Sequence, residues 1–302
     1  MSGDIGKVDC AINVFGKPCQ TALALLSLVR HSGAHIGTVY FITEPNSGGN
    51  FGALLDRLPK VVRFTPRHWL WTHPIEERRL GDDDYRLSIR YQYAWERSDK
   101  RYLFITHNDC LYTGDIVGAM LAGIGDRIAI GQVGQCWNCP ASWTNRCDPT
   151  RYLEYRPSFA ELADLYRTTE VPAGRRRRNY DRPEFDPSFS EQPWPLPECR
   201  VNEWAVMVDL DRARPLTRPL GSALPFGAYL RSGSDTLDIG VAWFRGVSRQ
   251  GCEAAHMRVE DYVRHGAGHP AMFDRSLYED GERRAREILE REYDWRGEGI
   301  VH

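Results

Sequence analysis

The sequence predicts an α/β protein with a Rossmann-like, mainly parallel sheet and helices on both faces. Three observations predict it. Short β-branched and aromatic runs alternate with helix-length segments through the first half of the chain. Three of those runs end in polar clusters, where a parallel sheet would present its carboxyl edge. The length, 302 residues with 42% apolar and 26% charged, suits one large α/β domain with inserted loops. We read residues 1–302 as that single domain, with an insertion over 133–200.

Asp9–Phe15 is a short apolar run that ends at Gly16-Lys17-Pro18. Thr21–Arg30 then repeats leucine at helical spacing. Thr38–Thr43 is β-branched and aromatic and ends in Glu44-Pro45-Asn46-Ser47-Gly48-Gly49. Val61–Phe64 reads as a third strand, and Asp84–Glu96 has helix character. Tyr102–Thr106 is a fourth strand that ends in His107-Asn108-Asp109. Asp115–Gly125 reads as a helix and Arg127–Gln132 as a strand. Residues 134–200 are rich in Trp, Pro, Cys and Arg; only Ser158–Arg167 looks helical there. An excursion of that length inside a compact domain is functional or disordered. Val201–Asp211 resumes a regular element, and Asp235–Val247 reads as a helix with Asp235 or Thr236 at its N-cap. Glu279–Tyr293 is an amphipathic helix whose paired charges suggest a solvated face.

Charge excludes some functions. A formal net charge of -2 offers no basic field for nucleic acid or for an anionic membrane surface. The apolar stretches Leu23–Val29 and Ile116–Ile124 fall far short of the roughly 20 residues that span a bilayer. The first residues do not read as a signal peptide, so a cytoplasmic location is expected. Disulfides are then not expected, and Cys10, Cys19, Cys110 and Cys252 read as small buried hydrophobes.

The chemistry should sit at the polar strand ends. His107-Asn108-Asp109 suits a divalent cation that bridges two phosphates, with Asp109 as ligand and His107 as a second. The competing reading is that Asp109 caps a turn before Leu111–Gly114. His265 and His269 alternate with Gly266 and Gly268, and an imidazole there could complete a metal shell. Cys136, Cys139, Cys147 and Cys199 could hold structural zinc and order the long excursion. A redox pair and unconnected thiols are the rivals. Glu203, where the chain re-enters the regular fold, could deprotonate an acceptor hydroxyl or simply form an ion pair. Asp235 and Asp238 carry the same two readings. Arg175–Arg178 is either a phosphate contact or a solvated loop.

Three groups of segments carry a resemblance. These are Asn13–Pro18 with its Leu-rich helix, Ile36–Glu44, and Ser88–Ala94 leading into Tyr102–Asp109. Together with His265-Gly266-Ala267-Gly268-His269, they resemble the glycosyltransferase A fold family, nucleotide-diphospho-sugar transferases of the family 2-like kind. The resemblance implies a nucleotide-sugar-binding half over 9–132 and an acceptor-side half with the C-terminal helix over 201–302; the insertion over 133–200 is not a general feature of the family and would be this chain's own acceptor-side device. It implies a UDP-sugar or similar donor, with Val14, Phe15, Gly16 and Glu44 near base and ribose. Arg90, His107 and Asn108 would lie near the diphosphate. Asp109, His107, His265 and His269 would hold Mn²⁺ or Mg²⁺, with Glu203 as base. The family's Asp-x-Asp motif carries His107 in its first place here. The acceptor is open among a glycan, a lipid-linked glycan, a peptide and a small molecule. Two alternatives stand beside this reading. One is a catalytically silent, zinc-stabilised nucleotide-sugar-binding protein. The other is a nucleotidyltransferase, which would need a Gly-rich basic loop where only Gly16-Lys17-Pro18 occurs.

Overall fold

The structure is a computed structural model that describes residues 8–45, 51–70, 73–175, 187–232, 235–266 and 268–295. The strands in chain order are β1 (Val8–Val14), β2 (Ile36–Thr43), β3 (Val61–Phe64), β4 (Tyr102–Thr106), β5 (Cys110–Tyr112), β6 (Ala129–Val133), β7 (Val201–Asp209), β8 (Leu230–Ser232), β9 (Asp235–Leu237), β10 (Ala254–His256) and β11 (Val263–His265). Seven of them form one sheet in the order β10-β6-β7-β4-β1-β2-β3. The block β3-β2-β1-β4 is parallel throughout. Strand β10 runs parallel to β6, while β7 runs antiparallel to both of its neighbours. The mainly parallel sheet is therefore present, with one reversed strand near its centre.

Side chains alternate across a strand, so a sheet covered on both faces reads as a nearly continuous apolar run. Every residue of β1 and β7 is buried. On one face Cys10, Ile12, Phe104, Ala205 and Met207 pack against the Pro18–Ser32 helix and the inner side of the C-terminal helix. On the other, Ala11, Leu103, Ile105, Val206 and Val208 meet Trp95, Trp243 and Phe244.

The excursion joins this second face. Tyr152, Leu162, Leu165, Tyr166, Phe189, Trp194 and Leu196 belong to the same apolar cluster. The Tyr152 hydroxyl donates to the Ala254 carbonyl and accepts from the Ala254 N–H, both at 3.0 Å, which ties the excursion to edge strand β10. Its Phe159–Thr168 helix starts in a capping box made by Ser158 and Glu161. The excursion thus contributes a packed layer through residues 152–166 and 189–196, while residues 170–175 are exposed and irregular. Arg175 is exposed, and Arg176–Arg178 lie outside the described residues.

Several expected elements change. Asp84–Glu96 divides into helices Asp83–Leu87 and Gln92–Arg97. The break falls at Tyr91, which has φ of 64° and donates its N–H to the Asn13 side chain at 3.1 Å. A long-range bond to β1 thus overrides local helix propensity. Asp235–Val247 is not one helix: β9 comes first, and helix Val241–Arg249 starts after Gly240 at φ of 84°. The C-terminal helix runs Arg275–Tyr293, begun by Asp274, whose carboxylate accepts from the N–H groups of Ser276 and Leu277. Its inner face, with Glu282, Ala285, Leu289 and Tyr293, is buried. The short strands β5 and β11 have no counterpart among the expected elements.

The Pro18–Ser32 helix has no side-chain cap of its own. Glu282 supplies one from the C-terminal helix, accepting the N–H groups of Cys19 at 2.8 Å and Gln20 at 3.0 Å. Glu282→Ala leaves those buried donors unsatisfied and should cost about 1–3 kcal/mol. Chemical unfolding measures this; a midpoint equal to that of the parent would remove the capping role.

Candidate active site

Backbone pairing assembles the site. Strand β4 ends at Thr106, and the chain returns as β5. Strand β11 pairs antiparallel with β5, with His265 opposite Cys110. The Gly266 N–H then donates to the Asp109 carbonyl at 2.7 Å. A Cβ at Gly266 would lie 3.0 Å from that same oxygen, so a larger residue there would push the neighbouring backbone back by a few tenths of an ångström. Strand β7 pairs Ala205 with Thr106 and, being reversed, delivers Glu203 and Trp204 to the end where the parallel strands finish. That edge is where open α/β sheets bind ligands.

Three ligand atoms meet there. His107 Nδ1 lies 3.2 Å from His265 Nε2, which lies 3.2 Å from Asp109 Oδ1. His107 Nδ1 and Asp109 Oδ1 are 4.0 Å apart. The Trp204 ring stacks on His265 at 5.1 Å and 9°, fixing the imidazole plane. Among the described residues this trio is the set of three metal-ligating side chains in mutual reach. Two of the three separations fit a divalent ion, since ligands held about 2.1 Å from a small cation stand about 3.0–3.4 Å apart; the His107–Asp109 pair, at 4.0 Å, is somewhat wider. Two imidazoles beside one carboxylate suit a transition ion such as Mn²⁺ better than Mg²⁺, which prefers oxygen.

The other oxygen of Asp109 is also held. Lys17 Nζ lies 2.7 Å from Oδ2, and the Gly268 N–H donates to it at 3.1 Å. Burial pushes the Asp109 carboxyl up, but His265, Lys17 and His107 outweigh it and hold the group far below the usual carboxylate range. Lys17 reaches the carboxylate from a left-handed backbone, φ 51°, directly after Gly16 at φ 58°. Asn108 steadies that bend by donating to the Gly16 carbonyl at 3.3 Å and to Thr21 Oγ1 at 3.1 Å.

Behind His107 lies a second charge relay. Its Nε2 is 3.3 Å from Glu203 Oε1, and Glu203 Oε2 is 2.7 Å from Arg200 Nη1. Arg200 also approaches Asp238 Oδ2 at 3.4 Å and donates to the Ile239 carbonyl at 2.6 Å. Burial raises Glu203, yet Arg200 and His107 draw it below its ordinary value. Burial depresses His107 despite the neighbouring Glu203, which favours a neutral imidazole able to ligate.

The remaining expected residues form a neighbouring group. Asn13 donates to Glu44 Oε1 at 2.7 Å. Glu44 is buried, which raises its pKa, and Arg90 and Asn13 oppose the rise. Phe15 stacks on Trp69 at 6.0 Å. Val14, Phe15 and Gly16 run between this group and Lys17. Asn46–Gly49 and Ala267 lie outside the described residues, as does the side chain of His269, whose backbone opens a 3₁₀ turn. The Asp235 side chain lies outside them too.

Cys136, Cys139, Cys147 and Cys199 line one small cavity with Tyr152 and Glu198. Their sulfurs are not a set of three within mutual ligand reach. Burial pushes Cys147 up to about 11 and Cys136 up to about 12, with Cys139 and Cys199 well above the ordinary thiol value. A redox pair needs a stabilised thiolate, and these environments favour the thiol. The packing of the excursion also supplies ordering that zinc was expected to supply.

Lys17, Arg200 and Trp204 complete the site without a role having been assigned to them from sequence, whereas Gly268 belongs to the His265–His269 segment singled out there. Lys17 alone left a visible signal, a cation inside Gly16-Lys17-Pro18 at a strand end. Arg200 is buried between Glu203 and Asp238. Arg200→Met strands those carboxylates and should cost roughly 3–5 kcal/mol. Equilibrium unfolding tests it, and a loss under about 1 kcal/mol, the range of exposed pairs, would contradict it.

No family model matches the sequence, and no curated protein matches it. Among the solved structures similar to the chain are several glycosyltransferases. Mouse xyloside xylosyltransferase 1 is 16% identical, with 68% of this chain and 69% of that one covered and a TM-score of 0.36. A mannosyltransferase of Pyrobaculum calidifontis, solved with GDP-Man and Mn²⁺, is 12% identical, with 83% and 54% covered and a TM-score of 0.41. Core-mannan synthase A of Aspergillus fumigatus, in its Mn/GDP form, is 11% identical, with 71% and 62% covered and a TM-score of 0.35. The chain thus spans about half the length of the second and about three-fifths of the third. Similarity of this extent assigns neither family nor donor, and that weight falls on the residues of the site.

Proposed function

We propose that the chain is a metal-assisted glycosyltransferase that takes its sugar from a nucleoside-diphosphate donor, a UDP-sugar first among them. The observation that carries this reading is the His107–Asp109–His265 trio at the carboxyl edge of the sheet, with Lys17 on the second oxygen of Asp109. Such a transfer breaks the bond between sugar C1 and the diphosphate oxygen. The acceptor oxygen bonds C1, and the acceptor proton passes to a base. The leaving diphosphate needs charge neutralisation more than covalent help. A bound divalent cation supplies most of it as a Lewis acid.

The chain's own residues hold and orient. Asp109 Oδ1, His107 Nδ1 and His265 Nε2 are the ligand atoms. Trp204 keeps the His265 ring in plane by stacking. Glu203 faces the far nitrogen of His107 and turns Nδ1 toward the trio. Enclosed between His107 and Arg200, Glu203 suits a positioning role for that imidazole better than the role of base expected from sequence. A cleft beside His265 is lined by Gln132, Trp137, Trp204, Glu260 and Arg264. Two indoles with a few polar groups suit a sugar ring, and we assign the acceptor to this cleft. Trp137 comes from the Cys-rich excursion, which gives that segment an acceptor-side role. Among the described residues no helix is long and apolar enough to cross a membrane.

The test combines thermal shift with product release. UDP or GDP with Mn²⁺ should stabilise the protein more than either component alone. Release of nucleoside diphosphate from the matching sugar donor should fall roughly 100-fold or more in His265→Ala. A protein that no nucleoside diphosphate stabilises, and that releases none, is not this enzyme. Stabilisation without release, in the presence of acceptor panels, would favour the silent binding protein.

A second reading concerns the four thiols. Their shared cavity is the observation that favours a zinc ion bound by Cys136, Cys139, Cys147 and Cys199. Purified protein would then carry near-stoichiometric zinc, lost in Cys136→Ser and Cys199→Ser. Protein free of zinc but normally folded returns the four to the core as plain buried thiols.

A further inference from the structure

We propose that Lys17 couples divalent-cation binding to diphosphate binding, because it shares the Asp109 carboxylate with the cation's site. The inference rests on the donor-site reading given above. Its first observation is the division of Asp109: Oδ2 takes Lys17 Nζ at 2.7 Å, while Oδ1 faces His265 and His107. The second is backbone geometry. Lys17 is a non-glycine residue with φ of 51°, next to Gly16 at φ 58°, and its N–H is held by the Tyr278 hydroxyl at 3.2 Å. Strained conformations that surrounding structure maintains cluster at functional sites. The third is burial: the Lys17 side chain is only 10% exposed, and the Asp109 side chain 2%.

The charge balance follows. Asp109 and Lys17 cancel, while Arg200 is shared by Glu203 and Asp238 on the Nε2 side of His107, away from its ligand nitrogen. A divalent ion at the two imidazoles therefore meets a carboxylate whose charge is already spent, with an ammonium close by. It binds weakly by itself. A diphosphate changes the sum, since its oxygens can face the cation and the Lys17 ammonium together. Cation and diphosphate then each strengthen the other, and linkage requires the two effects to be equal. The lysine thus keeps the site from filling with free metal and reserves the cation for the loaded donor.

The experiment measures Mn²⁺ binding by electron paramagnetic resonance and calorimetry, with and without UDP or GDP, in the parent and in Lys17→Met and Lys17→Arg. In the parent, nucleoside diphosphate should tighten Mn²⁺ by at least about tenfold, within the usual range of coupling between sites. Lys17→Met should bind Mn²⁺ alone about tenfold more tightly than the parent, with most of that coupling lost. Lys17→Arg, which keeps the charge, should retain parent-like weak binding of free Mn²⁺. Thermal melts establish that both variants are folded; if Lys17→Met does not fold, Lys17→Gln replaces it. Free Mn²⁺ binding that is unchanged or weaker in the charge-removing variant overturns the proposal. If no nucleotide binds the parent while Lys17→Met still tightens Mn²⁺, the sharing of Asp109 stands and the donor reading fails.

Discussion

The carboxylate of Asp109 is the point on which the site turns, because its two oxygens answer to different parts of the chain. Oδ2 faces the first strand–helix turn through Lys17 and the late loop through Gly268. Oδ1 faces His265, and near it stands His107 from the end of β4. A buried carboxylate is costly unless paired and hydrogen-bonded. Here the pairing is met by segments more than 90 residues apart, so one ion ties the front of the sheet to its closing loop.

Reversal of β7 has a chemical result. In a wholly parallel sheet, the strand beside β4 would bring its starting residues to the far edge. Running the other way, β7 brings Arg200, Glu203 and Trp204 to the ligand edge in one short stretch. Glu203 and Trp204 then act on the two imidazoles from behind, one by charge and one by stacking. Two histidines could ligate in many rotamers; their neighbours select one.

The order of the five sheet strands β1–β4 and β6, and of the helices Pro18–Ser32 and Ile116–Gly123, was legible because period-2 and helical patterns were strong and local. Tyr102–Thr106 is the same span from sequence and in the structure. His107 and Asp109 stood out because polar residues at the end of an apolar strand have few packing reasons to be there. Pairing of β5 with β11 was not legible: three-residue strands carry no periodicity, and their register comes from contact between distant segments. The split at Tyr91 was hidden for a like reason, since its cause is the side chain of Asn13. The excursion misled through composition. Its Pro and Trp content suggested irregularity, whereas its aromatic residues were the second layer of the core. Lys17 was in view but unassigned, because nothing in a linear sequence reports that a lysine backbone is left-handed and its amine turned inward.

The C-terminal helix deserves to be seen from the side of Lys17. Glu282 grips the first turn of the leading helix, and Tyr278 holds the Lys17 N–H itself. The loop bearing His265 and Gly268 runs straight into that helix. Lysine, imidazole and helix are thus rungs of one ladder, and they have to be inherited together. A chimera that exchanged only the Arg275–Tyr293 helix for that of another α/β protein would keep all seven strands of the sheet and lose the contacts that aim its amine.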